Sequence, residues 1–385
     1  MLTVLTYPVS KAYMYFRVRV LHDYRTGSNS TLQRCAMYDA HVLVLASLRK
    51  LTGNAMTAQR LAATIPSRRC STLDVSAVAD CAMLERLVRR EDVSVVVGIH
   101  AFRAGRLLVN SQVPYVIVLG GTDMNVHLRE PDKRAIMEKA LARAGSIVAF
   151  NAELLRTLLE AMPAIARQKT FLAAQATRVS VTRPLPADRA QLVRAAFDLR
   201  DGERLLLLPA GLRPVKDVCF LASALATWHA TDSSICLRIV GPALDAKYAE
   251  AARSELHALL PSRAVRYLGA LPQPLLHAAM AEAVAVLNSS KSEGMCNSLL
   301  EAMLIGTPVL ARANAGNVAL LRHLETGLLY ESAEECVRLA QQLLADDALS
   351  SRLAAAAAAH VRDQHSAQRE AEVYLRALNQ ALSPS

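Results

Sequence analysis

From His41 onward the chain repeats one local rhythm, which limits the fold more than any other feature. Short β-branched or aliphatic runs alternate with longer stretches that carry helical apolar spacing. In the first half the strand-length runs are HVLVLAS, VSVVVGIH, PYVIVLGG, GSIVAFN and KTFLAAQ, with helical stretches such as TAQRLAATI and DKRAIMEKALARA between them. In the second half they are RLLLLPAG, ICLRIVGP, AVRYLGA, AVAVLNS and TPVLAR, separated by DVCFLASALATWHA, KYAEAARSELHALL and PLLHAAMAEA. Strands this continuously apolar are covered by helices on both faces, and their alternation with helices makes a parallel sheet. The expected class is α/β, with two doubly wound, Rossmann-like parallel-sheet domains. The rhythm breaks once, at QATRVSVTRPLPADRAQLV, where Pro184 and Pro186 follow a polar stretch. The junction is placed there, giving a first domain over 41–182 and a second over 183–365. Ligands of such folds bind beyond the carboxyl ends of the strands, so a cleft between the domains is the expected site.

Composition narrows the function. With 52% hydrophobic and 20% charged residues the chain reads as a folded protein, and no apolar stretch reaches the ~18 residues of a bilayer span. A net charge of +10 admits nucleic acid, an anionic membrane surface or a phosphorylated small molecule. The basic residues are mostly single arginines in Ala-rich helical stretches, and aromatics are only 4%, which argues against a nucleic-acid groove and leaves peripheral membrane contact open. The seven cysteines are widely spaced with no CxxC, indicating neither a disulfide framework nor a zinc site. A reducing, cytoplasmic setting is expected. Residues 1–40 form a basic, acid-poor extension without a secretory signal pattern, read as loosely ordered, with an organellar targeting segment as the alternative.

After the run VAVLNS comes SKSEGMCNSLLEAM. Leu299, Leu300, Met303 and Leu304 form a buried stripe, so a helix begins near Asn297 or Ser298, with Asn297 and Glu301 on another face. Gly294 allows a close backbone approach, and the free N–H groups of the helix start make an anion site. Eight helical residues rise about 12 Å, so Glu293 and Glu301 bracket a ligand with an anionic centre and hydroxyls at both ends, the layout of a nucleotide diphosphate sugar. Each glutamate alone would read as a helix-favouring or solvated carboxylate. A third element shifts the balance: PAGLRPVKD follows the strand RLLLL, and Arg213 and Lys216 can neutralise a diphosphate without a metal.

These residues carry a resemblance. SEGMCNSLLEAMLIGTPVLA, with VRYLGALPQPLLHAAMAEAVAVLNSS and TGLLY, resembles the donor-binding half of the retaining glycosyltransferases of the GT-B fold, family 4 or glycosyl transferases group 1. The resemblance spans roughly residues 41 to 380 and implies a hexosyltransferase-type enzyme that uses a nucleotide-diphosphate sugar as co-substrate, without a further cofactor. It implies that Glu293 contacts hydroxyls of the transferred sugar and Glu301 the ribose. It further implies that Gly294, Met295, Cys296, Asn297 and Ser298 dock sugar and phosphate, that Arg213 and Lys216 hold the diphosphate, and that Tyr267, Leu268 and Gly269 hold the base. In the first domain SLRKLTGNAMTAQRLA is similar to the family's glycine-containing loop, with Gly53 and Asn54 at the cleft, although Gly-Asn is also an ordinary turn. His100 and Arg103 in VVVGIHAFRAGR are acceptor-side candidates, the histidine being equally readable as structural. Where many members carry HGTD, this chain reads LGGTDMN, with Gly120 in place of the histidine, so Thr122, Asp123 or His100 would have to compensate. The interval from Arg213 to Lys216 is also shorter than the family's usual spacing. The C-terminal helix SAQREAEVYLRALNQAL, within 366–385, is expected to pack back on the first domain, as in the family.

The mechanism implied is departure through an oxocarbenium-like state with retention of configuration, the leaving phosphate taking the acceptor's proton on the same face. Two rivals stand beside it. One is a non-catalytic nucleotide-sugar-binding protein. The other is a dinucleotide oxidoreductase, for which no G-x-G-x-x-G opens a helix after any strand.

Overall fold

The computed structural model describes residues 39–49, 52–65 and 67–383; the basic extension, except for its last two residues, lies outside them. The chain divides into two compact units. One runs to Ala176 and takes up the chain again from Ser366; the other is continuous from Thr177 to His365. The division falls shortly before the Pro184 and Pro186 pair.

The first unit is built on six parallel strands: β1 (His41–Ala46), β2 (Arg69–Asp74), β3 (Val95–Ile99), β4 (Tyr115–Val118), β5 (Ser146–Ala149) and β6 (Thr170–Leu172), in the order β2-β1-β3-β4-β5-β6. Every residue of β1, β3, β4 and β5 is buried. That is what a run such as HVLVLA requires, since its alternate side chains point to opposite faces and both faces are apolar. Helix Gly53–Thr64 covers β1 and β2, starting from Thr52, whose hydroxyl accepts from the Ala55 N–H at 3.4 Å. Helix Ala367–Leu382 returns to this unit and lies against β4, β5 and helix Gly53–Thr64, where the buried Glu370 pairs with Arg60 at 3.0 Å.

The second unit carries β7 (Arg204–Pro209), β8 (Ile235–Val240), β9 (Val265–Tyr267), β10 (Ala285–Asn288), β11 (Val309–Arg312) and β12 (Leu328–Tyr330), all parallel, in the order β12-β11-β10-β7-β8-β9. The run RLLLL divides its leucines between two cores. Leu206 and Leu208 pack on one face with Leu237 and Ile239, whereas Leu205 and Leu207 pack on the other with Val286 and Val309. Each such leucine contributes about 1.5–3 kcal/mol by burial.

All ten runs singled out in the sequence are strands. β2 and β12 were not among them, and both lie at sheet edges. The segment RCSTLD of β2 is polar and partly exposed, so it lacks the apolar signal that marks its neighbours. The stretch DVCFLASALATWHA becomes helical only from Ala222, because Asp217 adopts a left-handed φ of 46° after a short turn at Pro214–Lys216. Among the described residues no helix is long and apolar enough to cross a membrane.

The two strand orders place the sites. In the first unit successive strands leave β1 in opposite directions, so the crevice opens between β1 and β3; in the second it opens between β7 and β10. Gly53, Asn54 and His100 follow the first pair of strands. Arg213, Lys216 and Glu293 follow the second.

Candidate functional site

In the second unit the loop after β7 is held by its neighbours. The Lys291 N–H donates to the Val215 carbonyl at 2.9 Å, and the Ser289 hydroxyl donates to the Lys216 carbonyl at 3.0 Å. Asp217 accepts from Arg312 at 2.9 Å, and that guanidinium lies over the Phe220 ring at 3.8 Å. These contacts fix where Lys216 points. Its Nζ meets Glu293 Oε1 at 2.5 Å, across 77 positions of sequence. Glu293 Oε1 also accepts from Ser290 Oγ at 2.7 Å and Asn288 Nδ2 at 3.1 Å.

The Glu293 side chain is only 9% exposed, so its charge depends on these donors. Burial alone would raise its carboxyl. The Lys216 ammonium and the hydrogen bonds from Ser290 and Asn288 outweigh that and hold it below the usual range. Burial likewise would lower the Lys216 ammonium, and Glu293 outweighs it, raising the lysine above its ordinary value. The pair is therefore ionised at neutral pH. Lys216 was expected on a diphosphate; here it bonds Glu293, and Arg213 stands beside it with its Nε buried and unpartnered.

Helix Asn297–Ile305 starts at Cys296, whose side chain makes no capping bond, so its first N–H groups lack a side-chain partner there. Gly294, Met295, Asn297 and Ser298 are half-buried around this start, Cys296 is buried, and Asn297 Oδ1 is buried without a partner. Of the expected stripe Leu299, Leu300 and Met303 are fully buried and Leu304 is half-buried, and Glu301 is half-buried too. Glu301 accepts from Gln273 Nε2 at 3.1 Å, and His277 Nε2 stands 3.7 Å from its other oxygen. At the sheet edge, on β9, the Tyr267 hydroxyl donates to the Gly241 carbonyl at 2.7 Å, and the Leu268 N–H just after it donates to the Ile239 carbonyl at 3.0 Å. Gly269 then turns with a left-handed φ of 71°.

In the first unit Gly53 and Asn54 open helix Gly53–Thr64, and Asn54 Oδ1 lies 3.1 Å from His100 Nε2. His100 has a left-handed φ of 77°, unusual for a residue with a side chain. Asp123, with no exposed surface, explains how it is held. Its carboxylate accepts from the N–H groups of Ala101, Phe102 and Gly120 at 2.7, 3.2 and 3.0 Å, and His100 Nδ1 and His127 Nδ1 lie 3.2 and 3.5 Å away. Burial would raise this carboxyl, but the His100 imidazole and these hydrogen bonds hold it far below its ordinary value.

Gly120 is part of the same arrangement. A Cβ there would fall 2.1 Å from His100 Cε1 and 2.4 Å from Nδ1. The imidazole thus fills the space that a side chain at 120 would need, so the glycine and the histidine belong together. Thr122 is half-buried, and Arg103 is exposed and outside this cluster.

The sequence reading missed Asn288, Ser290, His277 and Asn317. Asn288 had the strongest signal, an amide ending the otherwise apolar run AVLN.

Comparisons with known proteins bear on the family and the fold. Residues 191–360 match the family model described as glycosyl transferases group 1. Glycosyltransferase 1 domain-containing protein 1 of Xenopus tropicalis is 31% identical over 335 residues, which span 86% of this chain and 96% of that protein. Among solved structures, Anabaena HepE in complex with UDP and glucose superposes with a TM-score of 0.75 at 16% identity, covering 88% of this chain and 99% of that one. Sucrose-phosphate synthase from Thermosynechococcus elongatus gives 0.68 at 17% identity, covering 88% and 98%.

Proposed function

The chain belongs to the glycosyl transferases group 1 family, and from that premise we propose that it moves a hexose from a nucleotide-diphosphate donor to an acceptor hydroxyl, with retention and without a metal. The fold is GT-B, and the family supports sugar transfer as the general activity. In this reading the donor's sugar hydroxyls meet Glu293, its diphosphate meets Arg213, Lys216 and the helix start at Asn297 and Ser298, its ribose meets Glu301, and its base lies along Leu268. HepE was solved with UDP and glucose, so a UDP-sugar is the first donor to test.

The observation that carries the proposal is the ionised Lys216–Glu293 pair. It sits at the strand-order reversal of the second unit, among a buried unpartnered guanidinium Nε and the uncapped helix start. A donor's diphosphate supplies acceptors for Arg213 Nε and for the N–H groups of the helix start, the charge-assisted hydrogen bonds that stabilise the leaving nucleoside diphosphate. Lys216 then has two anionic partners, and the lysine shared with Glu293 ties the position of the carboxylate to that of the leaving group.

On the acceptor side we assign His100, oriented by Asp123 and flanked by Asn54. Asp123 is wholly enclosed, so it acts through the histidine. No general base is assigned: the leaving phosphate takes the acceptor's proton on the same face. The test is a panel of UDP-, GDP- and ADP-sugars scored by thermal shift and by nucleotide release, with Glu293→Gln beside wild type. Stabilisation and release by wild type, with release lost in Glu293→Gln, is the expected result. Stabilisation without release or transfer would favour a non-catalytic nucleotide-sugar-binding protein. No stabilisation by any donor would remove the proposal.

A further inference from the structure

We propose that Asn317, acting through Asn288, is a positioning residue for the Glu293 carboxylate; the inference rests on the role given to Glu293 above. Asn288 ends β10 and is 2% exposed. Its Oδ1 accepts from the Ser290 N–H at 3.2 Å. A backbone N–H can only donate, so this contact fixes the amide's orientation, and the end facing Glu293 Oε1 at 3.1 Å is the Nδ2 donor. The same Oδ1 accepts from Asn317 Nδ2 at 2.9 Å. Asn317 has no exposed surface and also donates to the Arg312 carbonyl at 2.9 Å, so its amide is oriented unambiguously too. The chain of donors runs one way, from Asn317 to Asn288 to Glu293.

Two further observations tie this relay to Glu293 rather than to packing alone. Asn317 lies in helix Ala315–Leu320, and a Cβ on its neighbour Gly316 would fall 2.3 Å from the Glu293 carbonyl oxygen, so the same helix seats the Glu293 backbone. Asn317 Oδ1 is buried without a partner. An apolar residue of similar volume would avoid that penalty, so the amide is retained at a thermodynamic disadvantage that its Nδ2 contacts must offset. Tyr330 completes the support, its hydroxyl donating to the Asn288 carbonyl at 2.8 Å. Asn288 is thereby held at its carbonyl and at its side-chain oxygen, and its amide nitrogen donates to the Glu293 carboxylate and, at 3.2 Å, to Cys296 Sγ.

The test pairs near-isosteric variants. Asn317→Leu removes the donor and fills the volume; Asn317→Asp keeps the shape and replaces the donor by an acceptor facing Asn288 Oδ1. With UDP-glucose hydrolysis as the assay, both are expected to lower kcat between about tenfold and a hundredfold, the scale of a catalytic group displaced by up to about 1 Å. KM should stay within about twofold, because the diphosphate and ribose contacts are untouched. Asn317→Leu should keep the wild-type Tm or exceed it, so a loss of kcat there cannot be a loss of folding. Unchanged kcat in Asn317→Leu, with Glu293→Gln inactive, overturns the relay and leaves the proposed function standing. Full activity in Glu293→Gln overturns the role of Glu293 itself. Where UDP-glucose is not turned over, unfolding free energies decide. Asn317→Leu and Glu293→Gln should be non-additive, and additive once Asn288→Ala is present; additivity in the wild-type background overturns the relay.

Discussion

Glu293 and Lys216 give the sharpest residue-scale expectations. Lys216→Met leaves a carboxylate in a nearly closed site without its counter-ion, a loss of about 3–5 kcal/mol in unfolding free energy. The double variant Lys216→Met with Glu293→Leu removes both charges and should recover most of that loss in urea denaturation. Acid behaviour follows from Asp123, whose folded value lies below its unfolded one. Its contribution is fully present above the ordinary carboxylate range and is lost as pH falls through the depressed value. Urea midpoints measured from pH 7 downward should therefore fall steeply for wild type on the acid side and more gently for Asp123→Asn, which starts from a lower stability. These roles were unevenly legible. Glu293, Glu301 and the helix start could be read because a strand, a glycine and an apolar stripe lie together in sequence. That Lys216 meets Glu293 could not, because sheet order joins residues 77 positions apart. The match of Gly120 with His100 was equally hidden, since LGGTD shows only a missing side chain and not what fills its place.

At the scale of elements, the interior strands with two apolar faces announced themselves, whereas of the four edge strands β6 and β9 were legible and β2 and β12 were not. An edge strand pairs on one side only and tolerates polar residues, so RCSTLD carries no period that separates it from a loop. Helix Ala315–Leu320 was similarly silent, because its function is to approach Glu293 and hold Asn317, neither of which imposes an apolar stripe. Gly316→Val should show this directly. Its side chain would press on backbone rather than on a flexible side chain, costing about 1–3 kcal/mol in unfolding free energy and displacing Glu293, with activity falling further than stability explains. The C-terminal helix is anchored differently. Glu370 is fully buried against Arg60, and burial outweighs the arginine so that the carboxyl is raised. Glu370→Ala should cost about 3–5 kcal/mol in chemical denaturation by stranding Arg60, while Arg60→Met with Glu370→Met should be far milder.

Across the whole molecule, one device appears twice with different wiring. The first sheet reverses its strand order at β1 and β3, the second at β7 and β10, and the polar clusters follow those strands in both. Hydrogen exchange over the full chain, with and without UDP, should show new protection concentrated in residues 210–217 and 289–301 of the second unit. UDP at about a hundredfold excess over its Kd should stabilise the protein by about 2.7 kcal/mol. Protection confined to the first unit would contradict the assignment of the donor site. The division of the chain also bears on biosynthesis. Residues 177–365 form an uninterrupted unit, whereas the first sheet takes helix Ala367–Leu382 as part of its cover. As the polypeptide emerges from the ribosome, the later unit can close its core while the earlier one still lacks a wall, so the first sheet completes its cover only after the whole of the second unit has been made.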